Sequence, residues 1–133
     1  MSAVFVDTSA LLPFLDRDDR DHTNVVSGFR RLFEEDVPLV TTSYVLVEAG
    51  ALVKARLGQE AFRALGRLVD EAMDVVWVDP ELHRAGWTQA AASGRNGPSL
   101  VDCVSFAVMR EQGIDKAFTL DRHFKQQGFA LVP

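Results

Sequence analysis

Four acidic residues occupy positions where side chains can do chemistry. Asp7 directly follows the apolar run Ala3-Val4-Phe5-Val6, and Asp121 directly follows Ala117-Phe118-Thr119-Leu120. Asp102 falls in the first turn expected after the loop Arg95-Asn96-Gly97-Pro98. Glu48 falls in the second turn of the helix expected after Leu39-Val40-Thr41, between Val47 and Ala49. In open parallel sheets ligands bind outside the carboxyl ends of the strands, and such ends are where these acids are expected. Carboxylates converging there would repel one another and raise each other's pKa. A divalent cation relieves that repulsion. All-oxygen ligation suits a hard ion, Mg²⁺ or Mn²⁺, and the absence of a cysteine and histidine cluster argues against zinc.

Taken singly, each acid also has a structural explanation. Asp7 and Asp121 could cap the helices that follow them. Ser99-Leu100-Val101-Asp102 is a capping-box pattern. Glu48 could be a half-buried acid paired with Lys54, Arg56 or another base. It is the set of four at one sheet edge that these separate explanations leave unaccounted for.

The elements that must position these residues alternate between strand and helix. Short apolar runs at 3–6, 39–41, 75–78, 117–120 and 129–132 read as strands. Helical periodicity runs over 8–15, 22–35, 44–57, 60–73, 80–93 and 100–111, with a short turn at 121–126. Ser43 is the expected N-cap of the third helix, and Asp79-Pro80 signals the start of the fifth. Gly58 and Gly113 end helices. Strands apolar on both faces and separated by helices imply a mostly parallel sheet covered on both sides, the α/β class. No repeat or linker interrupts the chain, so one domain over residues 1–133 is expected.

Composition narrows the class. The chain has 133 residues, enough to bury a core without staples, and 47% are hydrophobic. No apolar run is long enough to span a bilayer, and the N-terminus lacks the pattern of a signal peptide. Cys103 is the one cysteine, so no internal disulfide forms, and a reducing cytoplasmic compartment fits. The net charge of −5 argues against a protein that grips nucleic acid by bulk electrostatics. It leaves room for an enzyme whose acids surround a cation.

Val6-Asp7-Thr8-Ser9-Ala10-Leu11, Glu48, Asp102 after Pro98-Ser99, and Phe118-Thr119-Leu120-Asp121-Arg122-His123-Phe124 together resemble the PIN domain. The run from Asp102 to Met109, then Thr119 to Phe124 and Gly128-Phe129, resembles the VapC toxins of bacteria and archaea in particular. The resemblance covers nearly the whole chain, in order. It implies a three-layer α/β/α sandwich with Asp7, Glu48, Asp102 and Asp121 as catalytic and metal-site acids. It also implies a small hydroxyl at the first motif, Thr8 or Ser9, with Ser9 preferred and expected to contact substrate. Hydrolysis of RNA (tRNA, rRNA or mRNA), an antitoxin partner and a homodimer are implied as well. The chemistry expected is in-line attack of water on phosphorus with Mg²⁺ or Mn²⁺, leaving 5′-phosphate and 3′-hydroxyl ends. Asp121 is the least constrained ligand, because that position varies between Asp and Asn in the family.

Arg17, Arg20, Arg95, Arg122 and Lys125 are candidates to contact phosphates, with Arg95 and Arg122 preferred. Each taken alone reads as a solvated charge. His22 and His123 are expected at helix starts or in packing. Cys103 is expected as a small buried residue, and Trp77 in the core; Trp87 is left unplaced. The competing readings are a PIN nuclease of RNA processing without an antitoxin, a catalytically silent binding module, and phosphoryl transfer to Asp7. The last is disfavoured because Asp7-Thr8-Ser9 lacks a second aspartate two residues on.

Overall fold

A computed structural model describes residues 2–133. Five strands form one sheet: β1 (Val4–Val6), β2 (Leu39–Thr42), β3 (Met73–Val76), β4 (Lys116–Phe118) and β5 (Ala130–Val132). Their spatial order is β3-β2-β1-β4-β5, and every neighbouring pair is parallel. The chain first steps outward from β1 to β2 to β3, then crosses back to place β4 on the other side of β1. The order therefore reverses between β1 and β4, and a crevice opens at their carboxyl ends.

Seven helices connect the strands: α1 (Thr8–Leu15), α2 (His22–Glu34), α3 (Ser43–Leu57), α4 (Gln59–Ala72), α5 (Pro80–Ala92), α6 (Leu100–Gln112) and α7 (Arg122–Gln126). Strand side chains alternate between the two faces of the sheet, and the aromatic packing shows both faces covered. On one face Phe29 of α2 stacks on Phe118 of β4 with centroids 4.3 Å apart, and Phe14 of α1 meets Phe29 edge-on. On the other face Phe5 of β1 stacks on Phe124 of α7, which meets Phe106 of α6 edge-on at 4.9 Å. The result is the expected three-layer α/β/α sandwich. Helices α5 and α6 approach closely at Gly86, where an added Cβ would lie 3.0 Å from the Val104 backbone nitrogen.

Several boundaries differ from expectation for local reasons. The third helix is capped by Thr42 and not by Ser43: Thr42 Oγ1 accepts from the Val45 amide at 3.1 Å. Ser43 Oγ is turned instead to accept from the Val78 amide at 2.9 Å, tying the start of α3 to the end of β3. Strand β3 begins at Met73 and ends at Val76, which leaves Trp77 outside the sheet and 74% exposed, not in the core. Strand β4 ends at Phe118, so Asp121 lies three residues beyond it. Phe33, at the end of α2, is 41% exposed.

Candidate active site

A cleft of about 330 Å³ lies at the carboxyl end of β1, at the reversal of strand order. Asp7, Glu48, Asp102 and Asp121 all line it, with Thr8, Ser9, Leu12, Leu52 and Ser99. Four segments far apart in the chain thus bring their acids to one place. Each does so while also serving the local backbone. Asp7 is the N-cap of α1, Asp121 the N-cap of α7, and Asp102 the third residue of a complete capping box with Ser99. The structural explanations are therefore realised at three of the four acids, and they coexist with convergence on the cleft. Glu48 is half-buried on α3 and pairs with neither Lys54 nor Arg56.

The capping leaves free oxygens. Asp7 Oδ2 accepts from Ser9 Oγ at 2.8 Å and from Thr119 Oγ1 at 2.9 Å. Asp102 Oδ2 accepts from the Ser99 amide, and Asp121 Oδ1 from the His123 amide. The second oxygen of each aspartate accepts no hydrogen bond among the described residues, and neither does either oxygen of Glu48. A carboxylate with one oxygen anchored and one free is a directed ligand.

Thr119 is the residue that sequence reasoning missed. It is 2% exposed, donates to Asp7 and accepts the Asp121 amide at 2.9 Å. One hydroxyl therefore holds two of the acids. Its place in Thr119-Leu120-Asp121, two residues before an acid at a strand end, was the available signal. Ser9, expected to touch substrate, has its hydroxyl engaged internally: it donates to Asp7 and accepts the Leu120 amide at 2.8 Å. That geometry supports a part in holding Asp7. Arg95 and Arg122 are exposed and do not line the cleft, but they border its walls in sequence, on the loop before α6 and directly after Asp121. Thr119→Val keeps the shape of the side chain and removes both hydrogen bonds. It is expected to cost about 1–3 kcal/mol of stability, read by urea unfolding.

The electrostatics are those of an acid cluster without a counterion. Burial pushes the Asp7 carboxyl above its ordinary pKa, against the lowering by Ser9 and Thr119, and the charge of Asp121 adds to the rise. Burial pushes Asp102 up to about 6, with the charges of Asp7 and Asp121 adding. Burial, and then the charge of Asp102, also raise the Cys103 thiol, which suits an inert core residue. Among the described residues no lysine or arginine pairs with any of the four acids. The two buried polar side-chain atoms without a hydrogen-bond partner, Thr8 Oγ1 and His123 Nδ1, belong to residues beside these acids. Free carboxylate oxygens, missing counter-cations and orphaned polar atoms together fit a bound divalent cation.

Residues 4–130 match the PIN-domain family. The chain belongs to that family. Among curated relatives this PIN domain is 32% identical over 131 residues to the 23S rRNA-specific endonuclease VapC20 of Mycobacterium tuberculosis, covering 97% of each chain. The crystal structure of that VapC20, described as a toxin cleaving the sarcin-ricin loop, superposes with a TM-score of 0.85 at 29% identity, covering 98% of this chain and 100% of the other. VapBC2 from Rickettsia felis, crystallised with a promoter DNA fragment, shares the fold with a TM-score of 0.69 at 11% identity, over 97% of this chain and 96% of that one.

Proposed function

We propose that this PIN domain is a VapC-type toxin, an endoribonuclease that hydrolyses RNA phosphodiester bonds with a divalent cation, Mg²⁺ or Mn²⁺. The observation that carries this is the meeting of Asp7, Glu48, Asp102 and Asp121 around one cleft, with no lysine or arginine among the described residues paired to them. The similarity to VapC20 along nearly the whole chain supports the reaction and makes ribosomal RNA the first substrate to test.

Asp7 and Asp102, the two most buried acids of the cleft, are the principal ligands, and Glu48 and Asp121 complete the negative wall. When bound, the ion supplies Lewis acidity toward the phosphate and the attacking water. Ser9 and Thr119 hold the Asp7 carboxylate at one oxygen, so that its orientation is set before ligand arrives. Leu12 and Leu52 give the cleft an apolar wall that limits water. Arg95 and Arg122 are assigned to backbone phosphates flanking the scissile bond, which lets a chain of net charge −5 hold a polyanion locally.

A cognate antitoxin and a homodimer complete the reading, in the cytoplasm where the RNA resides. Among the described residues no helix is long and apolar enough to cross a membrane. Val47 on α3 and Trp77 after β3 are 73% and 74% exposed, more than their apolar character favours, and support a protein contact there. With Val47→Glu and Trp77→Glu together, sedimentation is expected to shift from dimer to monomer. A monomeric wild-type chain would remove the dimer from the proposal.

The deciding experiment is cleavage of an rRNA and tRNA pool with Mn²⁺, with Mg²⁺ and with excess chelator. Cleavage is expected with either metal, with 5′-phosphate at the new ends, and none with chelator. Cleavage that persists with chelator would overturn the metal-dependent reading. Growth arrest relieved by co-expressing a neighbouring small protein would separate a toxin from a PIN nuclease of RNA processing.

A further inference from the structure

His123 follows Asp121 by two residues, in the first turn of α7. A helix-start or packing role was expected of it. It does stand at that helix start, and its ring lies between Asp121 of the acid cleft and Asn96 of the loop that joins α5 to α6. One ligand atom each from Asp102, Asp121 and His123 lie within 4.8 Å of one another. Two ligands of one six-coordinate ion with bonds of about 2.1 Å are separated by about 3–4.2 Å, so small side-chain adjustments bring the three onto one ion.

The hydrogen bonding of the ring specifies which nitrogen faces the acids. Nε2 lies 3.1 Å from the carbonyl oxygen of Asn96, which only accepts. Nε2 therefore carries a proton, and in the neutral imidazole the lone pair is on Nδ1. Nδ1 lies 2.8 Å from Asp121 Oδ1, yet the two do not meet in hydrogen-bonding geometry, and Nδ1 is buried without a partner. The same Oδ1 already accepts the backbone amide of His123 at 2.9 Å. A lone pair beside a carboxylate oxygen is repulsive unless a proton or a metal ion is shared between them, and the contact lacks the geometry of a hydrogen bond through a proton. A ring with one N–H on a backbone carbonyl and the other nitrogen turned toward acids is also the usual arrangement of a metal-bound histidine.

We propose that His123 is itself a ligand of the cation, binding through Nδ1 beside Asp102 and Asp121, and that this nitrogen tunes the site toward Mn²⁺ over Mg²⁺. The proposal rests on the metal-dependent reading above and adds to it a donor outside the four acids. Imidazole nitrogen favours transition-metal ions, whereas Mg²⁺ is served by carboxylate and water. The Asn96 carbonyl then orients the ligand from the loop.

The test uses the full chain and Mn²⁺ alone. Pulsed electron paramagnetic resonance of the Mn²⁺-bound wild type is expected to show coupling to a histidine nitrogen. That signal should vanish in His123→Ala and persist in His83→Ala, since His83 lies on α5, hydrogen-bonds Tyr44 and does not line the cleft. Calorimetric titration should show Mn²⁺ affinity falling about 10-fold or more in His123→Ala, with Mg²⁺ affinity changing much less. If Mn²⁺ binds, and Asp102→Asn abolishes that binding, but no nitrogen coupling appears, His123 is not a ligand and the four-acid metal site stands. Equal weakening of both metals in His123→Ala overturns the Mn²⁺ preference. If the wild type binds no Mn²⁺ at all, this proposal and the metal-dependent reading fall together.

Discussion

Asp7→Asn is expected to reduce RNA cleavage by about 10³-fold or more, the loss of roughly 4 kcal/mol of transition-state stabilisation, without unfolding the protein. The substitution is nearly isosteric. The amide oxygen of asparagine still accepts from Ser9 and Thr119 in the place of Oδ2, so the cap of α1 and the buried hydrogen bonds persist. What changes is the atom facing the cleft: a free carboxylate oxygen becomes an NH₂ group, which repels a cation. Because Asp7 is 2% exposed and burial disfavours its charge, neutralising it relieves a cost in the metal-free state. The variant should therefore melt at the wild-type temperature or above it without metal. Saturating Mn²⁺ should raise the wild-type melting temperature by mass action, about 2.7 kcal/mol of stabilisation at a hundred times Kd, and should leave the variant unmoved. Single-turnover cleavage and thermal melting, each with Mn²⁺ and with chelator, check both halves. Cleavage at the wild-type rate would remove Asp7 from the chemistry. A variant that melts well below the wild type would assign Asp7 to folding instead.

The second large effect is on stability against pH. Asp102 has an ordinary carboxyl pKa of 3.8 in the unfolded chain and about 6 in the fold, raised by burial and then by Asp7 and Asp121. Below pH 4 both states hold the proton and the group contributes nothing. Between 4 and 6 the folded state keeps a proton that the unfolded state has released, so metal-free stability falls as pH rises. Above about 6 both states are ionised and the full penalty remains. Two units of pKa correspond to about 3 kcal/mol, and solvent in the open cleft reduces this to about 1–2 kcal/mol. Asp102→Asn keeps an acceptor for the Ser99 amide and removes the charge. Its stability relative to wild type should grow by that amount between pH 4 and pH 7 in chelator, and the order should reverse once Mn²⁺ is added. Urea unfolding at a series of pH values measures the difference, with the carboxylates outside the cleft cancelling between the two proteins. A difference independent of pH would mean that Asp102 is not held in the crowded, buried environment described.

How much of this was legible beforehand depended on whether the cause was local. Asp79 and Ser99 announced their helices because a cap is written in a few adjacent residues, and both cap as expected. The choice between Thr42 and Ser43 was not local. Both can cap, and Ser43 lost the role because the Val78 amide, 35 residues away, takes its hydroxyl. Trp77 read as core because it lies within the apolar run 75–78 expected as a strand, but β3 is an edge strand that ends one residue earlier. The order of the motifs pointed to the four acids. Thr119 was quoted within a motif and given no task, since its task is a contact with Asp7 across 112 positions.

Periodicity, helix caps and residue types were enough to determine an alternating α/β chain and which acids to suspect, because those signals act over a few neighbouring residues. Only the tertiary structure decided that the return crossover sets β4 beside β1, that Asp7, Glu48, Asp102 and Asp121 share a cleft with no lysine or arginine paired to them among the described residues, and that Thr119 and His123 join them. Register and crossover direction are settled by burial of both sheet faces at once, a condition on the whole chain that no short segment carries.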